Sequence, residues 1–207
     1  MDAPSLKESD TRLRDAILAF VAAHPDPAVG RFKAALADWG EDWRAAAPHH
    51  LPAADTLGQT LALSAPETRD LLALFVQERA SRKWEQSYTR VDGVVGEDML
   101  AGYGFAEVIG KQGPFVSTRV RAGIGVWGPQ ITYPAHRHQA EEVYVVLAGS
   151  AVFSLGEGER ASSARQRAGT AVHVSPLLTH GFRTEDEPLA VFYLWQAGDL
   201  REKSSFS

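Results

Sequence analysis

Cysteine and asparagine are both absent from the 207-residue chain. The first absence removes disulfides, thiol nucleophiles and thiolate metal sites together. The second removes N-glycosylation. Basic charge is in deficit, with 21 Lys+Arg against 26 Asp+Glu and a formal net charge of -5, whereas a nucleic-acid-binding surface is basic. Apolar runs are short: the densest early one, Leu71–Val76, is far below the roughly 20 residues of a membrane-spanning helix. The opening segment MDAPSLKESD is polar and acidic and lacks the apolar stretch of a signal peptide. These absences lead us to expect a cytoplasmic protein with neither a nucleic-acid nor a membrane partner. What is present is ordinary. A hydrophobic share of 44% and a charged share of 23% suffice for a packed core, and the length suits one domain with an added helical segment.

The texture changes near residue 83. Before it the patterning is helical. Leu13, Ile17, Phe20 and Val21 recur at helical spacing after Ser9-Asp10, with Pro25 and Pro27 ending the run. A second short helix is expected over Phe32 to Trp39, between Gly30 and Gly40. For a third, Ser64 to Glu67 has capping-box spacing, Leu71, Leu74 and Phe75 follow, and Arg79 and Arg82 supply cations in the last turn. His24, His49 and His50 lie beside prolines and read as surface histidines. From Trp84 onward, short β-rich runs alternate with glycine-marked turns, the pattern of an antiparallel barrel or sandwich. The expected division is a helical region over 1–83 packed on a β-barrel over 84–207. The stretch from Gly93 to Gly113 is poorly patterned and reads as a lid or, by default, a long connection. Gly123-Ile-Gly125-Val-Trp-Gly128 matches the dinucleotide pattern GxGxxG, but Pro129 and a β-run follow where that fingerprint needs a helix. We reject it.

Four of the seven histidines fall between 136 and 180. His136, His138, Glu142 and Tyr144 share parity, so one strand face would carry them all, with Val143 and Val145 opposite and Glu141 in solvent. Two imidazoles and a carboxylate inside a barrel suit a divalent metal: Zn, Fe, Mn, Co or Ni. Buried without one, such groups cost several kcal/mol each. A further ligand could come from His180 or from His173, each in a later β-run.

This pattern resembles the cupin superfamily, whose first motif runs HxH, three or four residues, Glu, six residues, Gly, as at His136, His138, Glu142 and Gly149. Pro176 and His180 stand for the second motif, one residue closer than usual and without its glycine. The resemblance implies a mainly β cupin barrel (double-stranded β-helix or jelly roll) with an N-terminal helical region, and it selects His180 as the fourth ligand. A narrower likeness is to the cupin-type dimethylsulfoniopropionate (DMSP) lyases. It is carried by Tyr133, His136, His138, Glu142, Tyr144, His180 and Trp195.

That likeness implies a metal-dependent carbon–sulfur lyase that splits DMSP, a zwitterionic sulfonium carboxylate, into dimethyl sulfide and acrylate by β-elimination. Tyr144 is the first choice of general base and Tyr133 the second. Trp195, Tyr193 and Trp127 are candidates for the wall facing the sulfonium, because aromatic faces attract cations by about 0.5–2 kcal/mol. A monomer or homodimer is expected. Two alternatives stay open: another metal-dependent cupin enzyme of the iron dioxygenase type, and a non-catalytic cupin that binds a small ligand.

Overall fold

A strand whose residues are apolar on both parities must be covered on both faces, and EEVYVVLA over Glu141–Ala148 is buried at every position. The computed structural model, which describes residues 3–37, 42–200 and 204–206, shows what covers them. Six helices and twelve strands follow in order: α1 (Ala3–Ala23), α2 (Pro27–Gly30), α3 (Lys33–Ala37), α4 (Pro52–Thr60), α5 (Arg69–Glu78), β1 (Trp84–Glu85), α6 (Glu97–Gly102), β2 (Tyr103–Gly110), β3 (Phe115–Val116), β4 (Val120–Trp127), β5 (Thr132–Arg137), β6 (Glu141–Ala148), β7 (Ser150–Leu155), β8 (Ser162–Arg167), β9 (Ala171–Val174), β10 (His180–Thr184), β11 (Leu189–Gln196) and β12 (Ser205–Phe206). The larger sheet runs β1-β2-β4-β11-β6-β9 with β3 beside β2, and the smaller runs β12-β5-β10-β7-β8. The two sheets enclose an interior. This is the cupin barrel expected from the sequence, with helices added at the N-terminal end.

The larger sheet separates two cores. On its outer face Ile124, Val143, Val145, Phe192 and Leu194 meet Leu13, Ile17, Phe32, Leu57, Leu72 and Phe75 of the helical layer. Its inner face holds Tyr103, Trp127, Tyr144, Val146, Val191 and Tyr193 against Tyr133, Phe153 and Phe182 of the smaller sheet. Each buried aliphatic or Phe side chain contributes about 1.5–3 kcal/mol, so the apolar stripes of the helices bind this layer to the barrel.

Several local expectations need correction. Ser9 and Asp10 do not cap the first helix, which begins at Ala3. They are buried within it, where Ser9 donates to Glu78 at 2.5 Å and Arg82 is bonded to both Ser9 and Asp10. Tertiary partners thus satisfy polar groups that would otherwise favour a helix end. Pro27 starts α2, capped by the Asp26 side chain, and α3 ends at Ala37; Trp39 and Gly40 lie outside the described residues. Helix α5 starts at Arg69, and Ser64 instead donates to the Leu61 carbonyl. Arg82, expected in the last turn of that helix, lies beyond it and points into the α1 network. Helix α4 was not anticipated, nor was β8, whose SSARQR is polar and largely exposed. The stretch from Gly93 to Gly113 contains α6 and the eight-residue strand β2, so it is not a bare connection. No helix among the described residues is long and apolar enough to cross a membrane.

Candidate metal and active site

The cluster draws its histidines from the smaller sheet and the connection after β5, and its carboxylate from the larger sheet. His136 on β5 is the direct cross-strand partner of His180 on β10 in the smaller sheet, with ring centroids 4.2 Å apart. His138 follows β5 in the connection to β6, and Glu142 is the second residue of β6 in the larger sheet. The single strand face expected from parity is therefore replaced by convergence across the barrel interior, because β5 and β6 belong to different sheets. One nitrogen from each of His136, His138 and His180 lies within 4.8 Å of the others, and all three rings are buried.

The backbone sets the tautomers. Each Nδ1 faces a carbonyl oxygen two residues away: His136 to Pro134 at 2.9 Å, His138 to Ala140 at 3.0 Å and His180 to Leu178 at 2.8 Å. A carbonyl only accepts, so Nδ1 carries the proton and Nε2 of a neutral ring is left as a lone pair. His138 Nε2 lies 2.9 Å and His180 Nε2 3.3 Å from the same Glu142 oxygen. Burial, reinforced by His180, lowers the His136 pKa to about 3, so this ring is neutral at physiological pH. His180 Nε2 has no hydrogen-bond partner. Lone pairs directed at an anion are mutually repulsive, and a divalent cation among them resolves the repulsion. The donor set fits one.

The remaining expected residues line one cavity beside this cluster. Trp127, Tyr133, Glu142, Tyr144, Tyr193 and Trp195 form its wall, with Ser87, Tyr103, Phe105, Arg121 and Ser204. Tyr193 and Trp195 on β11 stand opposite Tyr144 and Glu142 on β6. Tyr133 lies 4.8 Å from His136 between ring centroids, and Tyr144 lies 6.2 Å from His180. Burial, with the Glu142 charge behind it, pushes the Tyr144 phenol well above its ordinary value; burial and Tyr88 do the same to Tyr133. Trp127 also packs on Phe182 at 4.8 Å, so it serves the core as well as the wall. The rejected glycine pattern has a local role here. A Cβ on Gly123 would stand 2.7 Å from the Tyr193 hydroxyl and 2.3 Å from the Ala106 carbonyl, and one on Gly125 would stand 2.6 Å from the Trp127 ring.

Other expected positions fall elsewhere. His173 is opposite Val143 on the helix-facing side of the sheet, and its Nε2 lies 2.8 Å from Glu141. Glu141, expected in solvent, is only 7% exposed; His173, Arg31 and Gln196 all bond to it. Sequence reasoning missed Tyr103, Phe105 and Arg121 in the cavity wall. Arg121 shares parity with Gly123, Gly125 and Trp127 on β4, and that alternation could have placed it. Ser87 and Ser204 lie outside regular runs and carry no such signal.

Comparison with known proteins bears on the whole arrangement. A family model described as dimethylsulfoniopropionate lyase matches residues 28–191. The chain belongs to the DMSP lyase family. This family member is 34% identical over 128 residues to the dimethylsulfoniopropionate lyase DddQ of Ruegeria pomeroyi, a match covering 61% of the chain and 60% of that relative. It is 29% identical over 120 residues to the putative dimethylsulfoniopropionate lyase DddL of Cereibacter sphaeroides, covering 57% of the chain and 47% of that relative. The matched stretches thus span less than two thirds of these two relatives. Among solved structures, DddQ from Ruegeria pomeroyi DSS-3 superposes with a TM-score of 0.83 at 26% identity, covering 97% of this chain and 96% of the other. A chain from the crystal structures of the DMSP lyases RdDddP and RnDddQII gives 0.82 at 28% identity, covering 98% and 99%.

Proposed function

We propose that this member of the family is a cation-dependent DMSP lyase, with His136, His138, Glu142 and His180 as metal ligands in a barrel over 84–207 and residues 1–83 as its supporting helical region. One observation carries the reading: three backbone-oriented imidazoles and a buried carboxylate converge beside a cavity walled by four tyrosines, Tyr133 and Tyr144 among them. A divalent cation bound there supplies Lewis-acid stabilisation of negative charge on the substrate carboxylate and the positive charge that makes a buried phenolate attainable. Candidates are Zn, Fe, Mn, Co and Ni.

Tyr144 removes the proton from the carbon beside the carboxylate. The electron pair of that bond forms the carbon–carbon double bond, and the carbon–sulfur pair leaves with sulfur as neutral dimethyl sulfide. Acrylate remains. Tyr133, on the opposite sheet, is the second candidate base and otherwise positions substrate. Trp195, Tyr193 and Trp127 offer aromatic surface to the sulfonium. The paired phenols favour proton abstraction over dioxygen chemistry. Mixing the purified protein with DMSP and each divalent cation in turn, and measuring dimethyl sulfide in the headspace, tests the proposal. Release with at least one cation and none with the metal-free protein is expected. Dioxygen consumption without dimethyl sulfide would overturn it.

A further inference from the structure

The mechanism leaves Arg121 unused, although it is the one cationic side chain lining the cavity among the described residues. Arg121 on β4 stands directly opposite Trp195 on β11, which in turn stands opposite Glu142 on β6. Its guanidinium carbon lies 4.8 Å from the Trp195 ring centroid. From the β6 side the His138 imidazole lies on the same indole, with centroids 4.0 Å apart and planes inclined by 30°. The indole is held between a guanidinium and a candidate ligand.

The guanidinium is itself fixed. Its Nε donates to Glu107 Oε2 at 2.5 Å, and Nη1 reaches the Leu200 carbonyl at 3.5 Å. Glu107 is buried, and its other oxygen accepts the backbone N–H groups of Gln112 at 2.5 Å and Gly113 at 3.0 Å. The turn is shaped around this carboxylate: Gly110 has φ +141°, and a Cβ there would stand 2.6 Å from the Glu107 carboxyl carbon. A buried ion pair adds little stability over an apolar pair of similar volume, so stability alone does not account for this one.

We propose that Arg121, anchored by Glu107, is a positioning residue that clamps Trp195 against His138. The clamp sets the cation affinity of the histidine cluster and the affinity for a small sulfonium substrate; only the substrate part rests on the lyase reading. Stacking of a planar guanidinium on an indole favours one ring orientation. With both sides of Trp195 engaged, the His138 ring is held in line with Glu142.

The test uses the full chain and three variants. Arg121→Gln removes the charge but strands Glu107, so the double variant Arg121→Gln/Glu107→Gln removes both charges together, and Arg121→Lys keeps charge without the planar fork. Three quantities are read: Zn²⁺ affinity by equilibrium dialysis, the Trp195 indole N–H resonance of the cation-free protein, and KM and kcat for DMSP. Loss of one signal in Trp195→Phe identifies that resonance among the five tryptophans. In both Gln variants the resonance shifts, while Zn²⁺ affinity falls and KM rises about tenfold each, within the range of a cation–π contact, with kcat within about twofold. Arg121→Lys recovers part of each. An unchanged resonance or an unchanged Zn²⁺ affinity in the double variant overturns the clamp, as does a fall in kcat at constant KM. Should the wild-type protein release no dimethyl sulfide with any cation, the lyase reading fails, and the resonance and dialysis results still decide the clamp.

Discussion

Tyr144→Phe separates catalysis from architecture more cleanly than any other change at the site. The Tyr144 ring packs against Phe153 and Phe182 with centroids 5.8 and 6.1 Å away, and phenylalanine keeps both contacts. The lost hydroxyl faces Glu142, whose charge a cation held with His138 and His180 would still neutralise. The stability change is therefore that of one hydrogen bond, about 1 kcal/mol, and Zn²⁺ content after dialysis stays at the wild-type level. Removal of a general base instead slows the chemical step by about 10²–10⁴-fold. Headspace chromatography at saturating DMSP, run beside urea denaturation and elemental analysis, reads all three effects on one preparation. If the variant keeps more than about a tenth of the wild-type rate, well above the range for losing a general base, Tyr144 is not the base. Tyr133→Phe then becomes the decisive variant.

Other consequences follow from the same geometry. Glu142→Gln removes an anion that faces two lone-pair nitrogens, so the cation-free protein keeps its thermal midpoint while stabilisation by Zn²⁺, about 2.7 kcal/mol for the wild type at 100 times Kd, disappears from melting curves. In the α1 network, Arg82→Met leaves Asp10 buried with Trp43 as its remaining side-chain partner and costs about 3–5 kcal/mol by urea titration. Adding Asp10→Asn recovers most of that loss; no recovery would show that packing, not stranded charge, set the cost. Burial works against the Glu78 carboxylate, but hydrogen bonds from Ser9 and Arg12 outweigh it and hold its pKa below the ordinary value. The stability Glu78 contributes is thus complete above the unfolded carboxylate pKa of about 4.3 and fades as pH falls through the lower folded value. Glu78→Gln should flatten that part of an acid titration of stability, and an unchanged slope would contradict it.

Much of the barrel was legible because strand alternation is a local property. The short β-rich runs from Trp84 onward mark most of the strands, and the spacing His136, His138, Glu142, Tyr144 marks the cluster before any strand is paired. The polar strand β8 escaped because exposed SSARQR has no apolar period to detect, and Ser9-Asp10 imitated a helix cap because its true partners lie about 70 residues away.

By itself, then, the sequence determined a β-rich chain with a helical beginning and a histidine–glutamate cluster suited to a metal, because residue type and period are written along the chain. Tertiary structure alone decided which sheet each ligand comes from. His173 and His180 both begin or sit within short β-runs, yet β10 brings His180 to His136 while β9 turns His173 outward to Glu141. The same holds for Arg121, whose neighbours Trp195 and Glu107 are set by pairing among β2, β4 and β11. Parity says which residues share a face; only long-range strand pairing says what that face meets.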